Sequence, residues 1–351
     1  MPFNMTPDVA QYGGADWSSL VTRISGSTPQ SAQRVAMSNP DITFFFYCRE
    51  PMYLDGQGQF LPGDSVFFSG QPWPGSAPQC DLYQKDFFNV AYVEVNSNNF
   101  ANVGCYTLAD GRQFFDMASI FAANINAGQD GAVLYFNPQV SQVLNDTDYV
   151  SQLQSLGISV LLTVLGNHEN AGWSCFTSQS DAQQFAQQLA DCVSKYGLDG
   201  IDIDDEYSSC TTNDTSLIMV TNAMRLLMPD KIISKALFSD TQYFDATWNG
   251  MTLAQQLSYG WEMYYGGGDC NNLLTPYVTA GMAKAQLGTG VSTSSTGSSM
   301  TKQLTQCTKN NQYGGMMVYN VTSDSQAFLS IISQAMYGQD TVAKANCLVS
   351  S

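Results

Sequence analysis

The sequence predicts an α/β fold, a (β/α)8 TIM barrel preceded by a small β-rich N-terminal extension. From about residue 87, apolar strand-like runs alternate with helical patterns, and this alternation repeats eight times. An open doubly wound sheet is disfavoured because no Gly-x-Gly-x-x-Gly turn follows the first strand. We therefore assign residues 1–85 to the extension, 86–340 to the barrel and 341–351 to a C-terminal tail.

Each of the eight strand candidates ends in polar or glycine residues. They span 88–95, 117–125, 158–165, 200–206, 232–238, 259–265, 283–287 and 315–320, of which 283–287 has the weakest pattern. Because catalytic residues of such barrels lie at the carboxyl ends of strands, these ends are where a site is expected.

The clearest helix is predicted over 181–196. Its apolar residues recur at helical spacing, Ser180 and Gln183 form a capping-box pattern before it, and Gly197 stands where a helix stops. Further helices are predicted over 216–227 and 323–337. Helices between strands are what the barrel requires.

The first 85 residues have a different pattern. Short strands are predicted over 42–48 and 65–69, prolines and glycines cluster over 71–78, and Cys48 and Cys80 are candidates for a disulfide. Three roles stay open for this extension: binding carbohydrate, forming oligomers, or packing against the barrel.

The charge balance excludes several partners. The net charge is −17 with only 13 Lys+Arg, and no basic run offsets it, so nucleic acid and anionic membranes are not expected partners. No run of about 18 apolar residues predicts a membrane span. A neutral substrate such as a sugar suits this balance.

Nine cysteines are scattered without any Cys-x-x-Cys spacing, and His168 is the only histidine. A zinc site is therefore not expected, and His168 is either a loop residue or a substrate contact. Scattered cysteines in a lysine-poor chain indicate an oxidising compartment and disulfides, which predicts a secreted, extracellular protein. The odd count leaves at least one thiol unpaired, while the pairing stays open.

The strand candidate over 200–206 carries a row of acids. With period two, Asp202, Asp204 and Glu206 share one face, while Ile201 and Ile203 share the other. A calcium loop would place its glycine after the acids, and an exposed acidic loop would leave the isoleucines unexplained. A catalytic row of carboxyls is favoured, since burial and repulsion shift pKa values in a way that serves chemistry.

Residues 199–206 also match the Asp-Gly-x-Asp-x-Asp-x-Glu signature of glycoside hydrolase family 18. More narrowly, the chain resembles the endo-β-N-acetylglucosaminidases of the endoglycosidase H type over about 87–340. The stretches that carry this resemblance span 90–96, 106–111, 121–126, 164–168 and 228–234. The resemblance does not extend to residues 1–85.

The resemblance implies a retaining, substrate-assisted mechanism. Glu206 would be the general acid and later the base, and the substrate's own 2-acetamido group would be the nucleophile. Asp204 would orient that group and stabilise positive charge, and Asp202 would tune Asp204. Asp205, on the opposite face, should not be catalytic.

In this family a tyrosine of the sixth strand holds the acetamido group, and Tyr264 is the candidate. Chitinases of the family show Met-x-Tyr-Asp here, whereas this chain reads Glu262-Met263-Tyr264-Tyr265. Glu262 shares a face with Tyr264 by period two, and Trp261 is expected to be barrel packing. The substrate-binding candidates are Tyr92, Glu94, Glu262 and Tyr319.

The resemblance therefore implies an endo-β-N-acetylglucosaminidase that cuts between the two core GlcNAc residues of N-glycans on glycoproteins. High-mannose and hybrid glycans are expected substrates, transglycosylation is an expected side activity, and no metal or cofactor is required. Two alternatives stay open: a chitinase of the same family, and a non-hydrolytic glycan-binding barrel protein. The eighth strand lacks the tryptophan that chitinases tend to carry, and lectin-like relatives usually lose the acid that Glu206 supplies. The oligomeric state is left open.

Overall fold

The computed structural model describes residues 3–11 and 17–349. A five-stranded antiparallel sheet builds the N-terminal domain, which confirms its β-rich character. Its strands lie in the order Phe3–Thr6, Cys80–Lys85, Phe44–Cys48, Ser65–Phe68 and Leu20–Ile24. The helix Pro29–Ser38 lies on this sheet, and two small ribbons pair Val9–Gln11 with Pro74–Ser76 and Met52–Leu54 with Gly58–Phe60. Cys48 and Cys80 form the expected disulfide.

Eight parallel strands follow and close into the predicted barrel, since the first pairs with both the second and the eighth. They are β1 Phe88–Glu94, β2 Met117–Gly128, β3 Ser159–Gly166, β4 Gly200–Ile203, β5 Ile232–Leu237, β6 Tyr259–Glu262, β7 Leu287–Ser292 and β8 Gly315–Tyr319. The strand Gly131–Tyr135 folds back as a hairpin on the end of β2.

Four strands differ from the prediction by three residues or more, and one of them, β2, continues to Gly128 instead of ending at 125. β4 ends at Ile203 and β6 at Glu262, each three residues earlier than expected. β7 lies later than expected, because 284–286 form a 3-10 turn. Gly288 and Gly290 interrupt the apolar pattern of β7, yet a Cβ at Gly290 would stand 2.0 Å from the carbonyl oxygen of Glu262. Glycine is required there because the two strands approach closely, and the sequence of β7 therefore lacks the apolar run that is typical of a buried strand.

Helices pack around the strands. They span Pro138–Asn145, Tyr149–Ser155, Gln179–Tyr196, Ser216–Leu227, Gln242–Asp245, Leu253–Gln256, Cys270–Thr279, Ser298–Asn310 and Gln326–Tyr337. The helix predicted over 181–196 begins two residues earlier, and Ser178 rather than Ser180 caps it by accepting the backbone N–H of Asp181. Gly197 ends it in the left-handed conformation, as expected.

One hydrophobic core fills the space between the strands and the outer helices. A second is shared: residues inside the barrel pack directly against the N-terminal domain. The hydroxyl of Tyr259, the first residue of β6, donates to the carbonyl of Met37 at 2.8 Å, and Arg34 pairs with Asp199 just before β4 at 3.1 Å. The N-terminal domain therefore covers the amino end of the barrel, opposite the carboxyl ends of the strands.

The end of the chain is tied to the barrel. Thr341–Ala343 pairs with the strand Tyr106–Leu108, and Cys347 forms a disulfide with Cys105. Two more disulfides join Cys175 to Cys210 and Cys270 to Cys307, which leaves Cys192 as a buried free thiol. Within the described ranges, none of the helices has the length and apolar run needed to cross a membrane.

Candidate active site

The acid row lies at the carboxyl end of β4, as the sequence predicts. Asp202, still within the strand, is fully buried inside the barrel. Its carboxylate accepts hydrogen bonds from Tyr92 on β1 at 2.5 Å, Thr163 on β3 at 2.9 Å and Ser234 on β5 at 2.7 Å. Burial raises the pKa of Asp202, and these three donors oppose the shift.

Asp204 directly follows the strand and is also buried. Its backbone N–H donates to the carbonyl of Val164 at 3.1 Å, while its Oδ1 has no hydrogen-bond partner. Burial, followed by the charges of Glu206 and Asp202, raises its pKa well above the ordinary value. An unpartnered buried carboxyl oxygen is costly unless the group is protonated or meets a donor.

Glu206 lies on a loop rather than on the strand. The backbone N–H of Gly166 donates to its carbonyl at 2.9 Å, and that of His168 donates to the Tyr207 carbonyl at 2.5 Å, so the loop docks on the end of β3. The Glu206 side chain is half-buried, and burial is the largest influence raising its pKa. Asp205 turns away and accepts a hydrogen bond from Ser174 Oγ at 3.1 Å.

Strand β1 places Tyr92 beneath the row rather than at the barrel mouth. Tyr92 is buried, and its hydroxyl contacts Asp202 and accepts the indole N–H of Trp261. Tyr92 therefore supports Asp202 from below, which corrects its predicted contact with sugar. Trp261 is packed in the barrel core, as expected, and its indole N–H also joins this network. Glu94 lies nearer the mouth, where Asn320 Nδ2 donates to it at 3.1 Å.

The sixth strand requires two further corrections. Tyr259 and Trp261 face the barrel interior, so Glu262 faces outward. Glu262 is buried, its Oε1 accepts the backbone N–H of Tyr264 while its Oε2 has no hydrogen-bond partner, and burial raises its pKa to about 7. It is a support of the strand ends rather than a substrate contact.

Tyr264 shares the outward direction. Its side chain is 39 % exposed, stacks on Phe238 at 4.4 Å between ring centroids, and donates its hydroxyl to Ser239 Oγ at 2.7 Å. The next residue, Tyr265, lies beside the row: burial and the charges of Asp204 and Glu206 raise its pKa. Met263 and Tyr265 have the Met-x-Tyr spacing, with Gly266 where chitinases carry aspartate. That spacing could have indicated Tyr265.

Aromatic rings complete the mouth. Tyr319, at the end of β8, lies 5.5 Å from Tyr265 and 5.4 Å from Phe121 between ring centroids. Burial and the charge of Glu94 raise the pKa of Tyr319 to about 12. The predicted site residue Tyr319 therefore lies with Tyr265 around the row, while Phe121 was missed because it lies within an apolar strand.

His168 lies on the loop after β3, with its ring 5.3 Å from that of Tyr207. Over the described residues, one group of side chains has metal-like spacing, Asp269 with Cys270 and Cys307. The two cysteines of this group are bonded to each other, so their sulfurs are not free to act as ligands.

Comparisons with known proteins give the family of this chain. The profile of the glycosyl hydrolases family 18 matches residues 66–306. The endo-beta-N-acetylglucosaminidase of Flavobacterium sp. (strain SK1022) is 39 % identical over 262 residues, covering 72 % of this chain and 81 % of the relative. Endo-beta-N-acetylglucosaminidase F1 of Elizabethkingia meningoseptica is 32 % identical over 272 residues, covering 72 % and 78 %.

Solved structures share the fold. EndoBT-3987 of Bacteroides thetaiotaomicron, with a Man5GlcNAc product, superposes with a TM-score of 0.63 at 17 % identity and covers 98 % of this chain and 92 % of its own. The chitinase RmChi1 of Rhizomucor miehei has a TM-score of 0.54 at 16 % identity, covering 70 % and 99 %.

Proposed function

Because this chain belongs to the glycosyl hydrolases family 18, we propose that it is an endo-β-N-acetylglucosaminidase that cleaves between the two core GlcNAc residues of N-glycans. The observation that carries this proposal is the geometry of the row: Glu206 on a half-buried loop at the mouth, with Asp204 and Asp202 buried behind it. The two curated relatives, both endo-beta-N-acetylglucosaminidases, support the choice of activity within the family.

The proposed reaction is substrate-assisted. Glu206, whose raised pKa favours a proton on its carboxyl, protonates the glycosidic oxygen. The carbonyl oxygen of the substrate's 2-acetamido group attacks the anomeric carbon, so that the glycosidic bond breaks as an oxazolinium ion forms. Glu206 then removes a proton from water, which opens the oxazolinium ring with net retention.

Asp204 is assigned to the acetamido group. Its orphaned Oδ1 offers the acceptor that the acetamido N–H needs. Its anion stabilises the positive charge that develops on the oxazolinium, and its raised pKa sets the pH above which that anion is available. Asp202, held by three hydroxyl donors, is the neighbour with which it shares protons.

Tyr265 is assigned to the acetamido carbonyl in place of Tyr264. It lies close enough to Asp204 and Glu206 for their charges to raise its pKa, and it has the Met-x-Tyr spacing. Tyr319 and Glu94, across the mouth, are assigned to sugar hydroxyls.

The proposed substrates are high-mannose and hybrid glycans on glycoproteins. EndoBT-3987, similar in fold, is known with a Man9GlcNAc2Asn substrate. Four disulfides support secretion, and capture of the oxazolinium by an acceptor alcohol would give transglycosylation.

The test is incubation with a high-mannose glycoprotein, followed by intact mass analysis. We expect a loss of the glycan with one GlcNAc left on asparagine. The Glu206→Gln variant should lose at least about 10³-fold in activity while keeping its circular dichroism spectrum. Cleavage of chitin oligomers without cleavage of the glycoprotein would instead indicate a chitinase. Binding without turnover by the unaltered protein would indicate a glycan-binding barrel, and full activity of Glu206→Gln would refute the assigned acid.

A further inference from the structure

A buried lysine lies in the barrel wall behind the acid row. Lys235 on β5 is 1 % exposed, forms an ion pair with Asp240, and donates to the carbonyl of Ala236 at 2.8 Å. Burying an ammonium group is strongly unfavourable unless it is paired. Asp240 is itself held by the hydroxyl of Tyr277 at 2.8 Å, so the pair is a fixed part of the wall.

The lysine and the catalytic acid line the same cavity. This cavity, of about 240 Å³, lies between the ends of β4 and β5, and Asp205, Glu206, Lys235 and Asp240 are among its lining residues. The strand register pairs Lys235 with Ile203, on the outward face that Asp205 also takes. Lys235 thus faces the row from outside the barrel, while substrate would approach from the mouth.

The positive charge of Lys235 lies near four carboxyl groups and stabilises their anions. Burial is the largest influence raising the pKa of Asp202, Asp204, Asp205 and Glu206, and Lys235 lowers the pKa of all four. The ammonium group can influence carboxyl groups that it does not contact, because the barrel wall has a low effective dielectric constant.

Other groups face the row from the elements around it. Asp205 on the same loop raises the pKa of Glu206, and Asp240 raises that of Asp205. Tyr207, Tyr265 and Tyr319 lie within electrostatic reach as neutral phenols. Among the charges named for the row, the ammonium group of Lys235 is the positive one.

We propose that Lys235 is a positioning residue whose buried ammonium group, acting across this cavity, sets the pH range in which Glu206 donates a proton while Asp204 is an anion. The inference rests on the proposed function, and it adds a residue outside the signature to the machinery of the reaction. No part of Lys235 needs to touch substrate.

The sign of the effect follows from the charge. Removal of the ammonium group stabilises the protonated forms of both Glu206 and Asp204. Glu206 then keeps its proton to higher pH, which moves the alkaline limb of kcat/KM upward. Asp204 becomes an anion only at higher pH, which moves the acid limb upward as well. We expect the whole profile to move by roughly one pH unit.

The experiment compares Lys235→Met with Lys231→Met. Lys231 directly precedes β5 and donates to the carbonyl of Leu198 at 2.7 Å, so its removal tests for a general loss of structure. Only Lys235→Met should shift the profile. Where Lys235→Met leaves Asp240 uncompensated and fails to fold, Lys235→Met with Asp240→Asn removes both members of the pair and should show the same direction of shift.

A second measurement does not require activity. The chain has five glutamates, at positions 50, 94, 169, 206 and 262, so carboxyl-13C labelling of glutamate gives few resonances, and Glu206→Gln assigns one. The Glu206 resonance should titrate at higher pH, by roughly one unit, in Lys235→Met. An unmoved resonance together with an unmoved kcat/KM profile would show a purely structural ion pair and overturn the proposal. An inactive unaltered protein would refute the proposed function, while this titration would still decide the influence of Lys235.

Discussion

Two adjacent tyrosines, Tyr264 and Tyr265, place their hydroxyl groups in different surroundings. The hydroxyl of Tyr264 donates to Ser239 at the exposed rim, whereas Tyr265 is half-buried beside Asp204 and Glu206. In the proposed mechanism the second hydroxyl donates to an oxygen whose charge changes as the ring closes. Such a donor contributes more in the transition state than in the ground state.

We predict that Tyr265→Phe lowers kcat about 10²-fold on a high-mannose glycoprotein, since it removes that donor while keeping the ring. Tyr264→Phe is the matched control and should stay within about twofold of the unaltered protein. Steady-state kinetics of the two variants decide between them. The reverse result, with Tyr264→Phe impaired and Tyr265→Phe active, would restore Tyr264 to the site.

The acids of the row were predictable because their spacing is a signature that survives errors in strand length. Tyr265 was missed although it has the Met-x-Tyr spacing, because the parity argument assumed a strand that continues past Glu262. Lys235 was hidden for another reason: a lysine in an apolar run gives no indication of its partner, and Asp240 lies on a loop whose path depends on tertiary packing.

At the scale of elements, the end of β3 supports the loop that carries Glu206. The backbone of Gly166 donates to the Glu206 carbonyl, and a Cβ at Gly166 would stand 2.5 Å from that oxygen and 2.8 Å from the Tyr207 carbonyl carbon. Both atoms belong to backbone, so the loop itself would have to move. The position of Glu206 therefore depends on a glycine, Gly166, at the end of the neighbouring strand β3.

We predict that Gly166→Ala lowers kcat by at least about tenfold, because displacement of an acid by a fraction of an ångström weakens proton transfer. The far-ultraviolet circular dichroism spectrum should be retained. Gly297→Ala is the control, since a Cβ there meets nothing within 4 Å. Normal turnover by Gly166→Ala would show that the loop relaxes without moving Glu206.

Elements were predictable to different degrees. Helices with a polar outer face and strands of apolar residues are visible as periods in the sequence, so most of the barrel was expected. β7 was misplaced because Gly288 and Gly290 remove the apolar period where strands approach closely. The N-cap was assigned to Ser180 instead of Ser178, because both serines precede the first apolar residue of the helix.

At the scale of the whole molecule, the N-terminal domain and the barrel share a core. Met37 and Phe45 of the domain pack in the same cluster as Tyr259 and Met317 of the barrel. The resemblance to endoglycosidases left residues 1–85 unassigned, and only packing could show that they cover the amino end of the barrel. A shared core favours cooperative unfolding.

We predict one calorimetric unfolding transition, which Met37→Ala moves to lower temperature by several degrees, because truncating a buried methionine costs about 2–5 kcal/mol. Met5→Ala is the control: Met5 is 50 % exposed in the same domain, and Tm should change by no more than about 1 °C. Differential scanning calorimetry is the measurement. Two resolved peaks, only one of which responds to Met37→Ala, would show that the domains unfold independently.

The placement of the N-terminal domain has a steric consequence. A glycan on a folded protein is attached to a large molecule, so the face of the enzyme that carries the active site must be able to approach that protein closely. Here the added domain lies at the amino end of the barrel, where Tyr259 contacts Met37, and Glu206 lies at the opposite, carboxyl end of the strands. If the protein were immobilised on a bead through the outer side of that domain, its active site would face away from the bead and toward the glycoprotein.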